Sequence, residues 1–472
     1  MIRKILIANR GEIAVRIVRA CQEARIESVA IYADPDRHAL HVKKASEAYN
    51  IGPDPVAGYL NAHRIVNLAL ATGCDAVHPG YGFLSENAEF ARICERRGIK
   101  FIGPSADVIN RMGNKIEARR SMQAAGVPVI PGSDESLTSV AEAIALASNI
   151  GYPIMLKATS GGGGRGIRRC ENEAELLRNY ERVLSEARKA FGSADIFLEK
   201  CVVKPRHIEV QILADHHGNT VHLFERDCSI QRRHQKLIEI APSPQLSEEQ
   251  RAQIGLFAVK AAQVVGYQNA GTVEFLMDDQ QQFFFMEMNT RLQVEHTVTE
   301  SITGVDIVGE QIRIADGQRL PFRQEDIQRR GFAMEFRINA EDPKNDFLPS
   351  FGRITRYFAP GGPGVRTDAA IYTGYTIPPY YDSMCAKITV WALCWEELLN
   401  RASRALQDTG VYGVKTTIPY YLELLEVPEF RAACFDTAFV EEHPELVNYK
   451  TSRPTRELAA VIAASVAAHA GY

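Results

Sequence analysis

Several common sequence features are missing from this chain of 472 residues. Its nine cysteines include no C-x-x-C pair, which excludes the usual zinc and disulfide frameworks and indicates a reducing compartment. No apolar run approaches the roughly 18 residues that a membrane span needs, and no signal peptide precedes the first strand. The net charge of −4 gives no bulk attraction to nucleic acid or anionic lipid. We therefore expect a cytoplasmic protein that binds neither nucleic acid nor membranes.

The familiar nucleotide-binding signatures are also absent where they would be expected. The first strand-to-helix turn, Asn9-Arg10-Gly11-Glu12, is not the G-x-G-x-x-G turn of dinucleotide-binding proteins. No Gly-Lys-Ser/Thr follows the later glycine run, so it is not a Walker A loop. The H-R-D and D-F-G signatures of protein kinases are missing as well. Any nucleotide site must therefore be of another kind.

The first third of the chain alternates strand and helix. Residues 4–8 and 28–32 read as short buried strands, and Ile13, Ile17 and Ala20 recur between them at helical spacing. This βαβ pattern predicts a parallel sheet. The later loop from His78 to Asn87 starts a helix for which we expect Ser85 to be the N-cap. The loop suits either a ligand or a domain contact.

A glycine loop lies between two strand-like segments. Residues 152–158 and 167–170 are β-rich, and the run Gly161-Gly162-Gly163-Gly164 separates them. This order predicts a hairpin with a mobile tip whose backbone N–H groups approach phosphate oxygens. The alternative is a flexible linker. The apolar strands on both sides favour the phosphate lid.

A second hairpin carries paired carboxylates. Residues 271–277 and 283–289 read as strands, and their pairing brings Glu274 beside Glu287 and Asn289. Strand alternation places Glu287, Asn289 and Arg291 on one face, with Met286 and Met288 on the other. Two carboxylates and an amide oxygen suit Mg²⁺, which also relieves the repulsion between the carboxylates.

Two further segments carry clustered polar residues. His207, Glu209 and Gln211 alternate with apolar residues and so share one face of a strand. The run from Glu225 to Lys236 is denser in charge than a solvated strand needs, and we expect its Arg, His and Lys residues to hold an anion together.

These motifs, taken in order, resemble those of biotin carboxylases, members of the ATP-grasp superfamily, from the first residues to about 445. The matching segments are 7–14, 78–87, the glycine loop, 226–236, 287–296, 337–343 and 378–384. The resemblance implies an α/β chain with a Rossmann-like N-terminal domain (1–114) and an ATP-grasp domain (115–330) whose glycine-rich lid spans about 131–203. It further implies a mixed α+β C-terminal domain (331–445), followed by a helical tail (446–472).

The resemblance also implies roles for individual residues. ATP would be bound by Lys115, Lys157, Gly163, Gly164, Glu199, Lys200, Cys201, Val202, His207, Gln231 and His234. Mg²⁺ or Mn²⁺ would be held by Glu274, Glu287 and Asn289. Bicarbonate and biotin would be surrounded by Lys236, Arg291, Gln293, Val294, Glu295, Arg337 and Asp382. Lys236, Arg291, Glu295 and Arg337 would be catalytic, with Glu295 as the base that deprotonates bicarbonate and Arg337 facing the biotin ureido oxygen.

The resemblance is strongest to the biotin carboxylase subunits of two-subunit pyruvate carboxylases. The Met-Lys-Met context of a biotinyl lysine does not occur here, so we expect biotin and the carboxyltransferase on a separate partner protein. The corresponding component of an acetyl-CoA or other acyl-CoA carboxylase is the alternative. A non-biotin ATP-grasp ligase is a further alternative, although it gives no reason for Arg337 or the Arg291–Glu295 run. A non-catalytic nucleotide-binding regulator is another, and the intact set of metal, lysine and base residues disfavours it.

Two expectations concern assembly. Arg19, Glu23 and Arg366 match bacterial homodimers of the family, but Pro363 stands where many of them carry phenylalanine, which puts the homodimer in doubt. Residues 458–468 have a high helix propensity and carry an apolar stripe. We expect this tail helix to pack on its own domain, and the alternative is that it docks the biotin-bearing subunit.

Overall fold

The computed structural model describes residues 1–159, 166–191, 195–449 and 455–470. The predicted N-terminal parallel sheet is present, with strand order β3-β2-β1-β4-β5. Gly11 begins the first helix with a φ of 67°, which lets the chain turn sharply from strand to helix. The elements of this region are β1 (Lys4–Ile7), α1 (Gly11–Glu23), β2 (Glu27–Tyr32), α2 (Leu40–Lys44), β3 (Glu47–Asn50), α3 (Ala62–Ala71), β4 (Ala76–His78), α4 (Ala88–Arg96), β5 (Lys100–Phe101) and α5 (Ala106–Gly113).

The helix after the His78–Asn87 loop does not begin as expected. Asn87 is the N-cap of α4, because its side-chain oxygen accepts a hydrogen bond from the Phe90 N–H at 2.8 Å. The prediction of Ser85 as the cap is therefore wrong. Ser85 lies in the preceding turn, where its N–H donates to the Gly82 carbonyl at 3.0 Å.

A small antiparallel sheet carries the glycine hairpin. Strand β6 pairs with β7 on one side and β8 on the other. The predicted hairpin is thus present, whereas Gly163 and Gly164 lie outside the described residues. The elements here are α6 (Lys115–Ala124), α7 (Val140–Ile150), β6 (Ile154–Ala158), β7 (Ile167–Cys170), α8 (Glu173–Phe191) and β8 (Ile196–Lys200).

A long antiparallel sheet runs through the rest of the structure. Its strand order is β13-β12-β9-β10-β11-β14-β21-β19, so strands from both sides of residue 330 belong to one sheet. The elements up to that residue are β9 (Arg206–Ala214), β10 (Thr220–Arg232), β11 (Gln235–Ala241), α9 (Glu248–Val264), β12 (Asn269–Met277), β13 (Phe283–Asn289), α10 (His296–Thr303) and α11 (Ile307–Ala315). Those after it are β14 (Phe332–Asn339), β15 (Glu341–Asp342), β16 (Leu348–Pro349), β17 (Gly352–Arg353), β18 (Arg356–Phe358), β19 (Val365–Ala369), β20 (Thr376–Ile377), β21 (Met384–Ala392), α12 (Trp395–Asp408), β22 (Gly410–Tyr412), α13 (Ile418–Leu424), α14 (Pro428–Arg431), α15 (Phe439–Glu442) and α16 (Thr455–His469).

The two faces of the long sheet differ in character. On β9, Ile208, Val210 and Ile212 pack into an apolar core with helix α9, as their alternation predicts. On the neighbouring strands β14 and β21, Phe336 and Val390 pack into a second core with helix α12. The polar residues between these apolar positions point to the opposite face, where the candidate site lies.

The tail helix α16 is exposed along the side chains that the structure describes. Val461, Ile462 and Val466 have 43%, 55% and 63% of their surface accessible. The expectation that this helix packs on its own domain is therefore wrong for these residues. Across the described residues, no helix combines the length and the apolar character that crossing a bilayer would need.

Candidate active site

Two rows of charged residues lie on the long sheet, one across β13, β12, β9 and β10 and the other across β11, β14, β21 and β19. Residues that stand directly opposite each other on antiparallel strands have neighbouring side chains on one face. The opposed pairs are Glu287 and Glu274, Glu274 and Glu209, Glu209 and Arg226, Glu239 and Glu335, Arg337 and Lys387, and Lys387 and Asp368. The sheet thus assembles acids and bases, most of them buried, from strands that are far apart in sequence.

The carboxylate pair on the β12–β13 hairpin has the predicted geometry. Glu274 stands opposite Glu287, and the Asn289 amide N–H donates to Glu274 Oε1 at 2.9 Å. A β-bulge next to this pair interrupts the strict alternation that the sequence predicted. As a result Met288 joins the apolar core, whereas Met286 is only half-buried and lies outside that core, contrary to expectation.

Lys236 lies at the centre of the acidic residues. Its ammonium donates to Glu209 at 2.6 Å, to Glu274 at 3.1 Å and to Glu295 at 2.7 Å. Burial alone would lower the pKa of Lys236, but Cys228 and these carboxylates raise it well above its usual range. A positively charged ammonium therefore lies between carboxylates from β9, from β12 and from the turn before α10.

Glu295 is fully buried between two cations. Its second oxygen accepts from Arg337 at 3.0 Å, while Lys236 holds the first. Burial alone would raise the pKa of Glu295, but Lys236 and Arg337 hold it well below its usual range. Arg337 also donates to Glu239 at 2.6 Å. Glu295 is therefore ionised.

Arg291 lies beyond the end of β13, in the turn that precedes α10. Its guanidinium donates to Asn289 Oδ1 at 2.9 Å and to Gln293 Oε1 at 3.0 Å. These two bonds link the end of the β12–β13 hairpin to the following turn. Its Nε donates to Glu86 Oε2 at 2.8 Å. The sequence motif from His78 to Asn87 contains Glu86, but the sequence alone gave this residue no role. The feature that could have indicated a role for Glu86 was a carboxylate in the loop after a strand of the parallel sheet.

The turn from Gln293 to Glu295 is held from several sides. The Gln293 amide N–H donates to Glu274 Oε1 at 2.9 Å. The Val294 carbonyl accepts from Lys387 Nζ at 2.5 Å. Lys387 was not among the residues predicted from the sequence, although a lysine inside the apolar strand β21 was a visible signal.

The predicted ATP residues do not form one group. Lys115 Nζ lies 3.5 Å from Glu287 Oε2, beside the carboxylate pair of the β12–β13 hairpin. Lys157 forms an ion pair with Glu199 across β6 and β8. Lys200 instead donates to the carbonyls of Gly151 and Tyr152, both at 3.0 Å. Cys201, which is buried, and Val202, which is half-buried, follow at the end of β8, where the Cys201 N–H donates to the Pro153 carbonyl at 3.0 Å.

The three remaining predicted ATP residues are not grouped together. His207 contacts Glu274 at 3.0 Å, which places it at the carboxylate pair. Gln231 is buried near the end of β10, and His234 is exposed in the turn that follows.

The charged run from Glu225 to Lys236 does not act as one cluster. Arg226 is fully buried and pairs with Glu209, whereas Arg232 and Arg233 pair with Asp346 at the surface. The expectation that the Arg, His and Lys residues of this run hold an anion together is wrong for Arg226, Arg232 and Arg233, because register irregularities in β10 and the turn at residues 233–234 send them in different directions.

Asp382 is exposed and caps its own turn, where its Oδ1 accepts from the Met384 N–H at 2.9 Å. Among the described contacts, none joins Asp382 to Arg337, so the structure does not bring these two predicted residues together.

The residues proposed for a metal fit a hard divalent cation in their chemistry. Glu274 and Glu287 offer carboxylate oxygens from opposed strand positions, and Asn289 offers an amide oxygen. Lys236 and His207 hold the pKa of Glu274 well below its usual range, although burial opposes this. Another group, His207, Glu209 and Glu274, also brings potential ligands together; it shares Glu274 with the first set, and the Lys236 ammonium donates to Glu274 as well as to Glu209.

Family models cover nearly all of the chain. Residues 1–109 match the biotin carboxylase N-terminal domain, and residues 335–442 match the biotin carboxylase C-terminal domain. Residues 114–323 match the ATP-binding domain of the carbamoyl-phosphate synthase L chain.

Individual relatives agree with these matches. The chain is 54% identical to the 2-oxoglutarate carboxylase small subunit of Hydrogenobacter thermophilus over 471 residues, which is 100% of both chains. It is 51% identical to a pyruvate carboxylase subunit of Methanothermobacter thermautotrophicus, over 97% of this chain and 93% of that one.

A solved structure supports the fold. The biotin carboxylase domain of H. thermophilus 2-oxoglutarate carboxylase superposes with a TM-score of 0.93 at 55% identity, over 96% of this chain and 100% of that one. That structure is a dimer in complex with MgADP, ADP and bicarbonate. It therefore counts against our expectation that the homodimer is in doubt.

Proposed function

We propose, from the premise that this chain belongs to the biotin carboxylase family of ATP-dependent ligases, that it carboxylates biotin on a separate carrier subunit. The observation that carries the proposal is the turn from Arg291 to Glu295. Arg291 contacts Asn289 on one side, and Glu295 contacts Arg337 on the other. One turn thus joins an ATP-metal half-site to a half-site for bicarbonate and biotin. We propose domain limits of 1–114, 115–330, 331–445 and 446–472.

The ATP half-site would lie between the glycine hairpin and the β12–β13 hairpin. Lys115 and Lys157 would contact the phosphates, and the backbone after Glu199 would line the adenine. Glu274, Glu287 and Asn289 would hold Mg²⁺, or Mn²⁺ in its place. Bound there, the metal would neutralise phosphate charge during transfer.

Bicarbonate would bind between Lys236, Arg291 and the Gln293–Glu295 turn. Arg291 would orient it in line with the γ-phosphate, and Glu295 would accept its proton. The cations that keep Glu295 ionised also make it a weak base. We therefore propose that the proton moves as the bond to phosphorus forms, while Lys236 and Arg291 stabilise the charge on the bicarbonate oxygens.

The product of this step would be carboxyphosphate, with ADP as the leaving group. Its breakdown to CO₂ and phosphate in a closed site would supply the carboxyl group. The departing phosphate would remove the ureido proton of biotin, and Arg337 would stabilise the resulting enolate oxygen.

We further propose that the complete enzyme carboxylates pyruvate to oxaloacetate. Support comes from the similarity to a pyruvate carboxylase subunit over 97% of the chain. A second candidate acceptor is 2-oxoglutarate, because the match to the small subunit of that carboxylase spans both chains completely. An acyl-CoA acceptor is the remaining alternative.

The activity can be tested in two stages. The isolated chain should cleave ATP in a bicarbonate-dependent manner when free biotin is supplied, and failure to do so would reject the proposal. Mixing it with biotinylated partner subunits and offering pyruvate, 2-oxoglutarate or acetyl-CoA would then identify the acceptor.

We also propose a homodimer formed through the surface around Arg19, Glu23 and Arg366. These residues line a cavity of about 350 Å³, and Arg366 is held there by Glu300 at 2.6 Å and Asp368 at 2.6 Å. Pro363 is exposed and precedes Arg366 by three residues in the sequence. A sedimentation experiment comparing the parent with Arg19→Glu would test the assignment, because a dimer should dissociate in the variant.

A further inference from the structure

Lys387 is a buried cation to which the proposed reaction assigns no role. Its side chain is 0% exposed, and its ammonium donates to the Val294 carbonyl at 2.5 Å. Val294 lies between Gln293 and Glu295, whose side chains contact Glu274 and Arg337. Lys387 therefore reaches the backbone of the proposed bicarbonate turn from strand β21.

The position of Lys387 follows from the register of the long sheet. Lys387 stands directly opposite Arg337, so both side chains project from the same face. Arg337 donates to the Glu295 carboxylate at 3.0 Å, and Lys387 donates to the carbonyl of the preceding residue. Two neighbouring cations thus hold two consecutive residues of one turn.

A buried ammonium is costly unless an opposite charge accompanies it. Glu12 Oε1 lies 3.4 Å from Lys387 Nζ, and its side chain is 3% exposed. Within the part of the chain that the structure describes, neither Glu12 oxygen has a hydrogen-bond partner. Glu12 belongs to the 7–14 segment, to which the reaction assigns no role. Its contact with Lys387 is therefore best explained as charge compensation, to which Asp368, directly opposite Lys387 in the sheet, also contributes.

Holding the Val294 carbonyl has a consequence for the next residue. A trans peptide is planar, and its C=O and the following N–H point in opposite directions. The direction of the Val294 carbonyl therefore sets the direction of the Glu295 N–H and the point at which the Glu295 side chain leaves the backbone.

We propose that Lys387 is a positioning residue for bicarbonate, which orients the Val294–Glu295 peptide while Glu12 compensates its charge. This inference rests on the bicarbonate site proposed above. It predicts that loss of the Lys387 ammonium weakens the use of bicarbonate more than the use of MgATP.

The test compares Lys387→Met with the double variant Lys387→Met/Glu12→Gln. The single variant leaves Glu12 buried without its cation, whereas the double variant removes both charges and should recover stability. In both variants KM for bicarbonate should rise about 10- to 100-fold, as expected for a lost charge-assisted hydrogen bond, and KM for MgATP should stay within about two-fold.

A second buried ion pair provides the matched control. Arg251 and Glu225 form such a pair, and none of its described hydrogen bonds reaches residues 290–295. Arg251→Met/Glu225→Gln should lower the melting temperature without separating the two KM values.

Each outcome decides the inference. It is overturned if the folded Lys387 variants keep KM for bicarbonate within about two-fold of the parent, or if both KM values rise together. Failure of both variants to fold while the control folds would also overturn it, because Lys387 would then be structural. Absence of bicarbonate-dependent ATP cleavage in the parent would instead reject the proposed function itself.

Discussion

Replacing Glu295 by glutamine keeps the size of the side chain and removes the charge that we assign to proton transfer. The carboxylate is fully buried, with Lys236 Nζ at 2.7 Å from one oxygen and Arg337 at 3.0 Å from the other. A glutamine can accept from one of these cations, but it presents an amide N–H₂ to the other. The substitution therefore removes the base and one charge-assisted hydrogen bond together.

The expected magnitude follows from these two losses. A positioned general base contributes about 10²- to 10⁴-fold to a rate, so turnover of Glu295→Gln should fall by that factor. Loss of one hydrogen bond between charged groups should lower the free energy of unfolding by about 1.5–3 kcal/mol. KM for MgATP should change by less than about three-fold, because ground-state binding of ATP does not use Glu295.

The assay is bicarbonate-dependent release of ADP with free biotin, measured over a range of MgATP concentrations. Glu442→Gln is a suitable control, since it removes a carboxylate from an exposed ion pair with Lys204. Turnover of Glu295→Gln equal to that of the control would refute the assignment of Glu295 as base. A parallel collapse of ATP binding would show that the residue maintains the fold instead.

Three further changes have defined outcomes. Arg337→Met should reduce carboxylation of free biotin at least about 100-fold with little change in KM for MgATP, and unchanged carboxybiotin formation would contradict its role. Deleting residues 455–472 should preserve bicarbonate-dependent ATP cleavage and weaken association with the biotin-bearing subunit in a pull-down, whereas full retention of binding would exclude the tail as a docking element. Burial lowers the pKa of His41 from 6.5 to about 4, so between these pH values the unfolded chain binds a proton that the folded protein does not. The free energy of unfolding is therefore fully retained above pH 6.5 and falls as the pH is lowered towards 4. In His41→Gln, urea unfolding should therefore show a loss between pH 7 and pH 4 that is smaller by about 3 kcal/mol, and an unchanged loss would refute this.

Local sequence patterns were sufficient where the partners are neighbours along the chain. The β12–β13 hairpin joins two adjacent strands through a short turn, so alternation alone placed Glu274 beside Glu287. The same reasoning placed His207 and Glu209 on one face of β9. It was wrong about Met286, because a β-bulge is a response to packing that alternation does not encode.

Long-range pairings were beyond such patterns. Glu86 approaches Arg291 across 205 residues, and Arg337 approaches Glu239 across 98. These contacts depend on the order of strands in the sheet and on how the N-terminal loop meets the β13 turn. Neither is determined by the residues near each partner in sequence, which is why Glu86 and Glu239 received no role.

A physical signal for the missed residues was nevertheless present in the chain. Strands β11, β14 and β21 are apolar segments that each contain charged residues at inward positions, namely Glu239, Arg337 and Lys387. A single buried charge in such a strand is strongly destabilising, so it persists only with partners of opposite charge. Three such strands therefore imply one shared network, and the alternating signs of Glu239, Arg337 and Glu295 in the structure agree with that inference. Charges that interrupt apolar strands thus indicate which distant strands must meet at the active site.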